Sequence, residues 1–486
     1  MIKDVREIIE SLNNSPHPER SRRAGDEGKD SIYFLGIGGI GMSALARYFN
    51  EKGITVSGYD KTETPLTKQL ISEGIAVHFK DDIGLIDKAA KLVVYTPAVP
   101  KDHSELNYYL DNNYTVVKRS DVLGAVTNSS FNICIAGTHG KTTTSTMVAH
   151  ILRHSGYGCT AFLGGIAVNY NNNYWSEGND KNVCVAEADE YDRSFLKLSP
   201  DIAIISSMDP DHLDIYGTAE NMEQAFIEFA GKIKSGGLLL SKFGLKRNAD
   251  LKAERHLTYH LDNVRADVYA ADIKMENGTY RFDVWKEDWK LNNVVLNMGG
   301  MHNIENAIAA ITVAHQLGIE DEKIKMAVED FKGVKRRFEY IVKDGATVYI
   351  DDYAHHPDEL KALITGAKEL FPEMNCVVIF QPHLYSRTRD FVDGFASSLN
   401  LADDVWLLPI YPARELPIEG VTSKMILDKM HEGHGHLYES KEEMMDFLKY
   451  AYEHGRESFF ITAGAGDIDT LVDPIKKILT TEGSGK

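Results

Sequence analysis

One stretch constrains this 486-residue chain more than any other: Phe131-Asn132-Ile133-Cys134-Ile135-Ala136-Gly137-Thr138-His139-Gly140-Lys141-Thr142-Thr143-Thr144. Its mostly apolar start has the length of a buried strand, the glycines break it into a turn, and Thr143 to Leu152 reads as a helix. Strand, glycine turn and helix in that order make a phosphate cradle. Backbone N–H groups of the turn and the first helical turn converge on an anion, Lys141 adds a point charge, and the Thr142 hydroxyl is placed to ligate magnesium. ATP or GTP is the expected ligand, held by Gly137, Thr138, His139, Gly140, Lys141, Thr142 and Thr143. The loop is a shortened variant, since the usual spacing would put its first glycine where Ile135 stands. An ordinary strand-to-helix turn containing Gly-Lys-Thr is the alternative.

A second glycine turn lies upstream. Ile32-Tyr33-Phe34-Leu35 runs into Gly36-Ile37-Gly38-Gly39-Ile40-Gly41, a helix-like run continues to Glu51, and a second strand from Ile54 to Gly58 ends at Asp60. Gly36, Gly38 and Gly41 match a dinucleotide-type fingerprint that seats a diphosphate on a helix N-terminus, with Asp60 where a ribose-contacting acid belongs. The fingerprint specifies a pyrophosphate-sized anion and leaves the nucleotide open, so a nicotinamide-dependent oxidoreductase is one reading. Leu92 to Tyr95 then enters Thr96-Pro97-Ala98-Val99-Pro100, either another ligand loop at a strand end or a proline-rich turn.

The chain is too long for one core and predicts about three domains. With 53 basic against 72 acidic residues it carries a formal charge of -19, which argues against nucleic acid or an anionic membrane as the main partner. An anionic substrate would need a locally basic pocket. Cys134, Cys159, Cys184 and Cys376 lack metal-ligand spacing and read as reduced core thiols of a cytoplasmic protein. No apolar run is long enough to span a bilayer, and the N-terminus lacks a signal-peptide layout. Ile2, Val5, Ile8, Ile9 and Leu12 fall at near-helical spacing, Ser15 to Asp30 is polar, and residues 1-30 are expected to form a flexible extension.

Further clusters follow predicted strands. Val183 to Ala186 ends in Glu187-Ala188-Asp189-Glu190-Tyr191-Asp192, acids that hold magnesium near a phosphate loop or cap the next helix. Ile202 to Ile205 delivers Met208-Asp209-Pro210-Asp211-His212-Leu213-Asp214, where His212 is either a metal ligand or a surface loop histidine. Asn277-Gly278 between Ala270-Ile273 and Tyr280-Trp285 signals a hairpin, a small antiparallel addition to a parallel domain. Gly299-Gly300-Met301-His302-Asn303-Ile304-Glu305-Asn306 opens a helix of which Asn303 could be the N-cap, and Lys335-Arg336-Arg337-Phe338 follows. Strands at 347-350, 376-380, 405-408 and 458-461 each end in a polar cluster, marking a ligand face at the carboxyl edge of a third sheet.

The chain resembles the Mur ligases of bacterial cell-wall synthesis from about Ser31 to its C-terminus. The carrying motifs are Gly-Thr-His-Gly-Lys-Thr-Thr at 137-143, Glu-Ala-Asp-Glu-Tyr-Asp at 187-192, Asp-His-Leu-Asp at 211-214, His-Asn-Ile-Glu-Asn at 302-306 and Arg-Arg-Phe-Glu at 336-339. The runs at 36-43, 351-357, 381-389 and 411-415 are similar to those of members that attach L-alanine to UDP-N-acetylmuramate.

The resemblance implies an α/β fold of three domains: a Rossmann-like UDP-sugar domain at 31-128, a P-loop ATPase-like central domain at 129-340, and a Rossmann-like amino-acid-binding domain at 341-486. The central domain would have a mainly parallel sheet with a small antiparallel addition. It further implies an acyl phosphate formed from the lactyl carboxylate and ATP, then attack by the amine of L-alanine. The UDP-sugar site would comprise Gly36, Gly38, Gly39, Ile40, Gly41, Asp60, Thr96, Pro97, Ala98 and Glu190. His302, Asn303, Asn306, Arg337 and Asp352 would join the phosphate loop around ATP, and Thr142, Glu187 and His212 would ligate two magnesium ions. His356, His383 and Arg387 would receive alanine, and the catalytic set would be Lys141, His212, Arg337, Asp352 and His356.

Two departures stand out. Leu384 occupies a position where many relatives are basic, and Glu220 to Ala230 contains no lysine to carry the carbamate found in several sister ligases, the first being Lys232. A cytoplasmic monomer or weak homodimer that closes its domains on substrate is the expectation. The alternatives are a ligase that recycles a preformed tripeptide onto the same sugar and, in another class, the oxidoreductase.

Overall fold

The computed structural model describes residues 5, 7–9, 11, 30–177, 182–210, 213–276, 278–344, 347–413, 415–454 and 457–481. They form two compact units, one of Met1–Ile166, Asn171–Val268 and Ile308–Ile324, the other of Ala167–Tyr170, Tyr269–Ala307 and Lys325–Lys486.

In the first unit the near-continuous apolar run β1 (Ser31–Leu35) is buried along its whole length. Such a run suits the centre of a parallel sheet covered on both faces. β2 (Thr55–Tyr59), β3 (Ala76–His78), β4 (Leu92–Tyr95) and β5 (Val116–Lys118) complete a five-stranded parallel sheet in the order β3-β2-β1-β4-β5. Helix α1 (Ile40–Glu51) leaves the glycine turn after β1 and buries Leu45, Ala46 and Phe49. Val5 and Ile9, within the stretch expected to be flexible, are helical core residues at 1% and 3% exposure, so the near-helical apolar spacing decides there.

The same unit holds β6 (Phe131–Ala136), β7 (Thr160–Ala167), β8 (Asn172–Ser176), β9 (Val183–Glu187), β10 (Ile202–Ile205), β11 (Leu238–Lys242) and β12 (Arg255–His260), neighbours in the order β12-β11-β10-β6-β9-β7-β8. The parallel register pairs Ile135 with Glu187 and Ala136 with Ile205, which levels the carboxyl ends of β6, β9 and β10. Whatever follows those strands must therefore meet. Helix α2 (Lys141–His154) follows β6, beginning two residues earlier than its pattern suggests. All four cysteines are free and buried.

In the second unit β13 (Val268–Glu276), β14 (Thr279–Lys286) and β15 (Trp289–Leu296) are successive neighbours, with β14 and β15 antiparallel. Gly278 takes φ +68° in the turn before β14, as a hairpin turn requires, while Asn277 lies outside the described residues. The other sheet comprises β16 (Glu339–Lys343), β17 (Val348–Asp352), β18 (Asn375–Phe380), β19 (Asp404–Leu407), β20 (Gly435–Leu437) and β21 (Ser458–Ala463), ordered β16-β17-β21-β18-β19-β20. All pairs are parallel except β16 on β17. β17, β18, β19 and β21 are the four runs legible in the sequence. The edge strands β16 and β20 have weak apolar patterns, the usual condition of an edge.

Candidate active site

The levelled strand ends explain the phosphate loop. Gly137 takes φ +136°, and a Cβ there would lie 2.2 Å from Ser206 Oγ and 2.9 Å from Ser207 N, so only glycine fits between the loops after β6 and β10. Ser207 Oγ accepts from His139 N at 2.7 Å and meets Thr138 Oγ1 at 2.8 Å, and Ser206 Oγ donates to the His139 carbonyl. The two serines form a floor under the loop. Gly140, at φ +82°, turns the chain into α2. The Lys141 ammonium donates to Gly137 O and to Glu190 Oε1, both at 2.7 Å. Glu190 is 1% exposed; burial raises its pKa and the adjacent Lys141 opposes that. Lys141 is thus aimed back across the turn by an acid that had been expected at the UDP-sugar site.

Thr142 Oγ1 donates to the Glu187 carboxylate, lying 3.1 Å from each oxygen. Gly164 on β7 makes room: a Cβ there would stand 2.0 Å from Glu187 Oε2. Hydroxyl and carboxylate oxygens are hard donors that suit magnesium and not a thiophilic metal. Among the described residues no group of three or more His, Cys, Asp or Glu is arranged to hold a metal, and Asp211 and His212 lie outside them.

The upstream turn is organised by Asp60. Its carboxylate accepts from Gly38 N at 2.8 Å and from Thr62 N at 3.2 Å, so the acid expected on a ribose shapes the glycine turn itself. A Cβ on Gly36 would lie 2.8 Å from Thr96 Cγ2, and one on Gly41 would lie 2.8 Å from Arg119 Nη1. Thr96 is brought to the turn, while Pro97 and Ala98 are exposed in a turn closed by Val99 N donating to Thr96 O. Gly39 and Ile40 begin α1. Arg119, Ser206 and Ser207 are functional-site residues that no motif singled out; the basic pair Lys118-Arg119, which ends β5 and opens the next helix, was the available signal.

In the second unit, Asn303 is in the first turn of the helix Met301–Gln316, and its amide donates back to Gly299 O at 2.6 Å. It is not the cap that its position suggested. Asn306 donates to Asn303 Oδ1 at 3.0 Å, and a Cβ on Gly300 would meet the His302 ring at 2.5 Å, so His302, Asn303 and Asn306 form one cluster with the Gly299-Gly300 turn.

The two arginines after β15 divide. Arg336 lies beside Asp351 (3.3 Å) and Asp469 (3.6 Å), donates to Gly464 O at 2.5 Å and stacks over Tyr353, whereas Arg337 is exposed. Asp352 accepts from Phe338 N at 2.6 Å and Ala354 N at 2.7 Å; burial nevertheless pushes its carboxyl up to about 6, and that of Asp351 to about 7.

The ligand edge of the third sheet gathers histidines and Arg387. His356 caps the helix Pro357–Leu370, its Nδ1 accepting from Asp358 N at 3.4 Å, and packs on Phe391. His383 stacks on Tyr411 with ring centroids 5.9 Å apart, and burial first, then Arg387 and His355, holds its imidazole below the ordinary value. Among the described residues, His383 Nδ1 and Arg387 Nη1 are buried without a hydrogen-bond partner. Buried polar atoms of that kind mark a place for a polar ligand.

Three family models match the chain in series: "Mur ligase family, catalytic domain" at 31–130, "Mur ligase middle domain" at 135–314, and "Mur ligase, glutamate ligase domain" at 336–466. The chain belongs to the Mur ligase family. This Mur ligase is 50% identical over 459 residues, 93% of its length, to the UDP-N-acetylmuramate–L-alanine ligase of Porphyromonas gingivalis, of which 99% is covered. It is 47% identical over 463 residues to the ligase of the same name from Cytophaga hutchinsonii, covering 94% and 98% of the two chains. Among solved structures it is similar to the UDP-N-acetylmuramate-alanine ligase of Thermotoga maritima, with a TM-score of 0.77 and 30% identity over 92% of this chain and 98% of that one. A murein peptide ligase from Psychrobacter arcticus, at 24% identity and a TM-score of 0.63 over 93% and 99% of the two chains, shares the fold.

Proposed function

We propose that this protein joins L-alanine to the lactyl carboxylate of UDP-N-acetylmuramate at the expense of ATP, giving UDP-N-acetylmuramoyl-L-alanine, ADP and phosphate for peptidoglycan synthesis. One observation carries the reading: a chain half identical to ligases named for this substrate pair has a glycine loop that aims Lys141 across itself and sets Thr142 against Glu187.

In the first step a carboxylate oxygen attacks the γ-phosphorus, the bond to the bridging oxygen breaks, and ADP leaves an acyl phosphate behind. Two anions must approach, so a fixed cation favours the transition state over separated reactants. Lys141 supplies it, exchanging its contact with Glu190 for phosphate oxygens. Magnesium in such a reaction neutralises the β- and γ-phosphates, and Thr142 with Glu187 would hold it; a second ion is proposed at His212. His302, Asn303, Asn306, Arg337 and Asp352 are proposed to serve the nucleotide.

In the second step the amine attacks the acyl carbon, the carbon–oxygen bond breaks and phosphate leaves. The amine must first lose a proton. His383, whose proton affinity is lowered first by burial and then by Arg387 and His355, and His356 are the candidate acceptors, with Arg387 for the alanine carboxylate. A cytoplasmic, monomeric or weakly dimeric state is part of the same proposal; no helix among the described residues is long and apolar enough to cross a membrane.

The test is phosphate release from ATP with magnesium and UDP-N-acetylmuramate, adding L-alanine, the tripeptide or no amine. Release that needs both the sugar and L-alanine supports the reading. Release with the tripeptide alone makes it the recycling ligase, and no sugar-dependent release refutes both.

A further inference from the structure

The third glycine of a dinucleotide fingerprint ordinarily allows a helix to pack closely on its strand. Here Gly41 has a different reason. A Cβ at that position would lie 2.8, 3.2 and 3.3 Å from Nη1, Cδ and Cζ of Arg119, so the guanidinium lies directly against the glycine in the first turn of α1. Arg119 comes from the residue immediately after β5, two strands away from the turn it reaches.

The neighbouring cations are differently engaged. Lys118 holds Asp192 at 2.6 Å and Lys197 holds Asp121, both as direct hydrogen-bonded ion pairs. Arg119 stands 3.6 Å from Asp189, longer than a hydrogen bond, and its side chain is 23% exposed. It lines a pocket with Ser120, Glu187, Asp189, Ser194 and Phe195. Glu187 is the acid that meets Thr142. The guanidinium therefore lies with one side on the fingerprint helix and shares a pocket with the acid of the phosphate-loop site, in a protein whose net charge is -19 and whose proposed substrate is an anion.

We propose that Arg119 is a substrate-binding residue that receives an anionic oxygen group of the nucleotide sugar, and that Gly41 exists to seat it. Its planar fork suits either a diphosphate or a carboxylate. The helix-side position matches the diphosphate and the Glu187 side matches the lactyl carboxylate. This rests on the ligase reading above.

The experiment compares the full-length wild type with Arg119→Ala, Arg119→Lys and Gly41→Ala, by steady-state phosphate release and thermal melting. Arg119→Ala should raise the KM for UDP-N-acetylmuramate by roughly 10- to 100-fold, the range for a lost hydrogen bond to a charged group, and leave the KM values for ATP and alanine within about 2-fold. Arg119→Lys should recover part of the loss, and Gly41→Ala should reproduce much of it with little change in melting temperature. Competition by UDP assigns the group: an inhibition constant raised in parallel means the diphosphate, an unchanged one means the carboxylate. A sugar KM within about 2-fold of wild type in Arg119→Ala, or all three KM values rising together, overturns the proposal. Wild-type protein without sugar-dependent release would instead refute the ligase reading.

Discussion

Gly164→Ala separates metal handling from stability. Gly164 lies on β7 at an ordinary φ, so alanine brings no left-handed strain there; the whole effect is the contact of its Cβ with Glu187 Oε2 at 2.0 Å and Cδ at 2.6 Å. Real Cβ contacts stay beyond 3.0 Å, so the carboxylate must retreat by about 1 Å. Thr142 Oγ1 sits 3.1 Å from both carboxylate oxygens, and a displacement of that size cannot leave both contacts as they are. A hydrogen bond to a charged group contributes about 1.5–3 kcal/mol, and a displaced metal-site acid costs on the order of 10- to 100-fold in metal affinity. The magnesium concentration for half-maximal phosphate release should therefore rise at least about 10-fold. The stabilisation of the protein by ADP with magnesium, read as a melting shift, should shrink in parallel, while the ligand-free melting temperature falls by only a few degrees. A magnesium midpoint within about 2-fold of wild type would show that the Glu187 carboxylate does not hold the ion.

Gly137→Ala combines a clash against Ser206 and Ser207 with a backbone region costing about 1–3 kcal/mol for other residues, and should lower kcat by about 100-fold with loss of ATP-induced stabilisation; near-wild-type kcat would refute the loop geometry. Arg336→Met should destabilise by roughly 1–3 kcal/mol in urea unfolding because it removes the hydrogen bond to Gly464 O and the guanidinium beside buried Asp351, whereas Arg337→Ala should leave stability within about 0.5 kcal/mol while slowing phosphate release; equal unfolding midpoints for the two would refute the division. Asp351 retains its proton to about pH 7 when folded and loses it near pH 4 when unfolded, so between those values the folded state binds more protons and stability falls as pH rises, by up to about 1.4 kcal/mol per pH unit. Asp351→Asn should flatten that slope in denaturant titrations from pH 5 to 7, and an unchanged slope would refute the assignment.

The phosphate loop, the upstream glycine turn and the four inner strands of the third sheet were legible because each is local. A strand of five or six apolar residues, a glycine where φ must be positive and a following helix all lie within about twenty residues, and their physics needs no neighbour. The family resemblance also named Thr142 and Glu187 for one site, and the structure brings their oxygens to 3.1 Å. Sequence alone could not say that Asp60 would be turned inward onto Gly38, that Glu190 would lie against Lys141, or that Asn303 would fold back on Gly299. Nor did it distinguish Arg336, held by Asp351 and Gly464, from the exposed Arg337 beside it. Those outcomes depend on sheet order. Only when β10 and β9 flank β6 do Ser206, Ser207 and Glu190 reach the phosphate loop, only β7 beside β9 puts Gly164 under Glu187, and only the turn of the chain after β5 lays Arg119 on Gly41. Local sequence determines which backbone shapes are affordable, but strand ends distant in sequence meet according to which sheet arrangement buries the apolar runs, and that is a property of the whole fold.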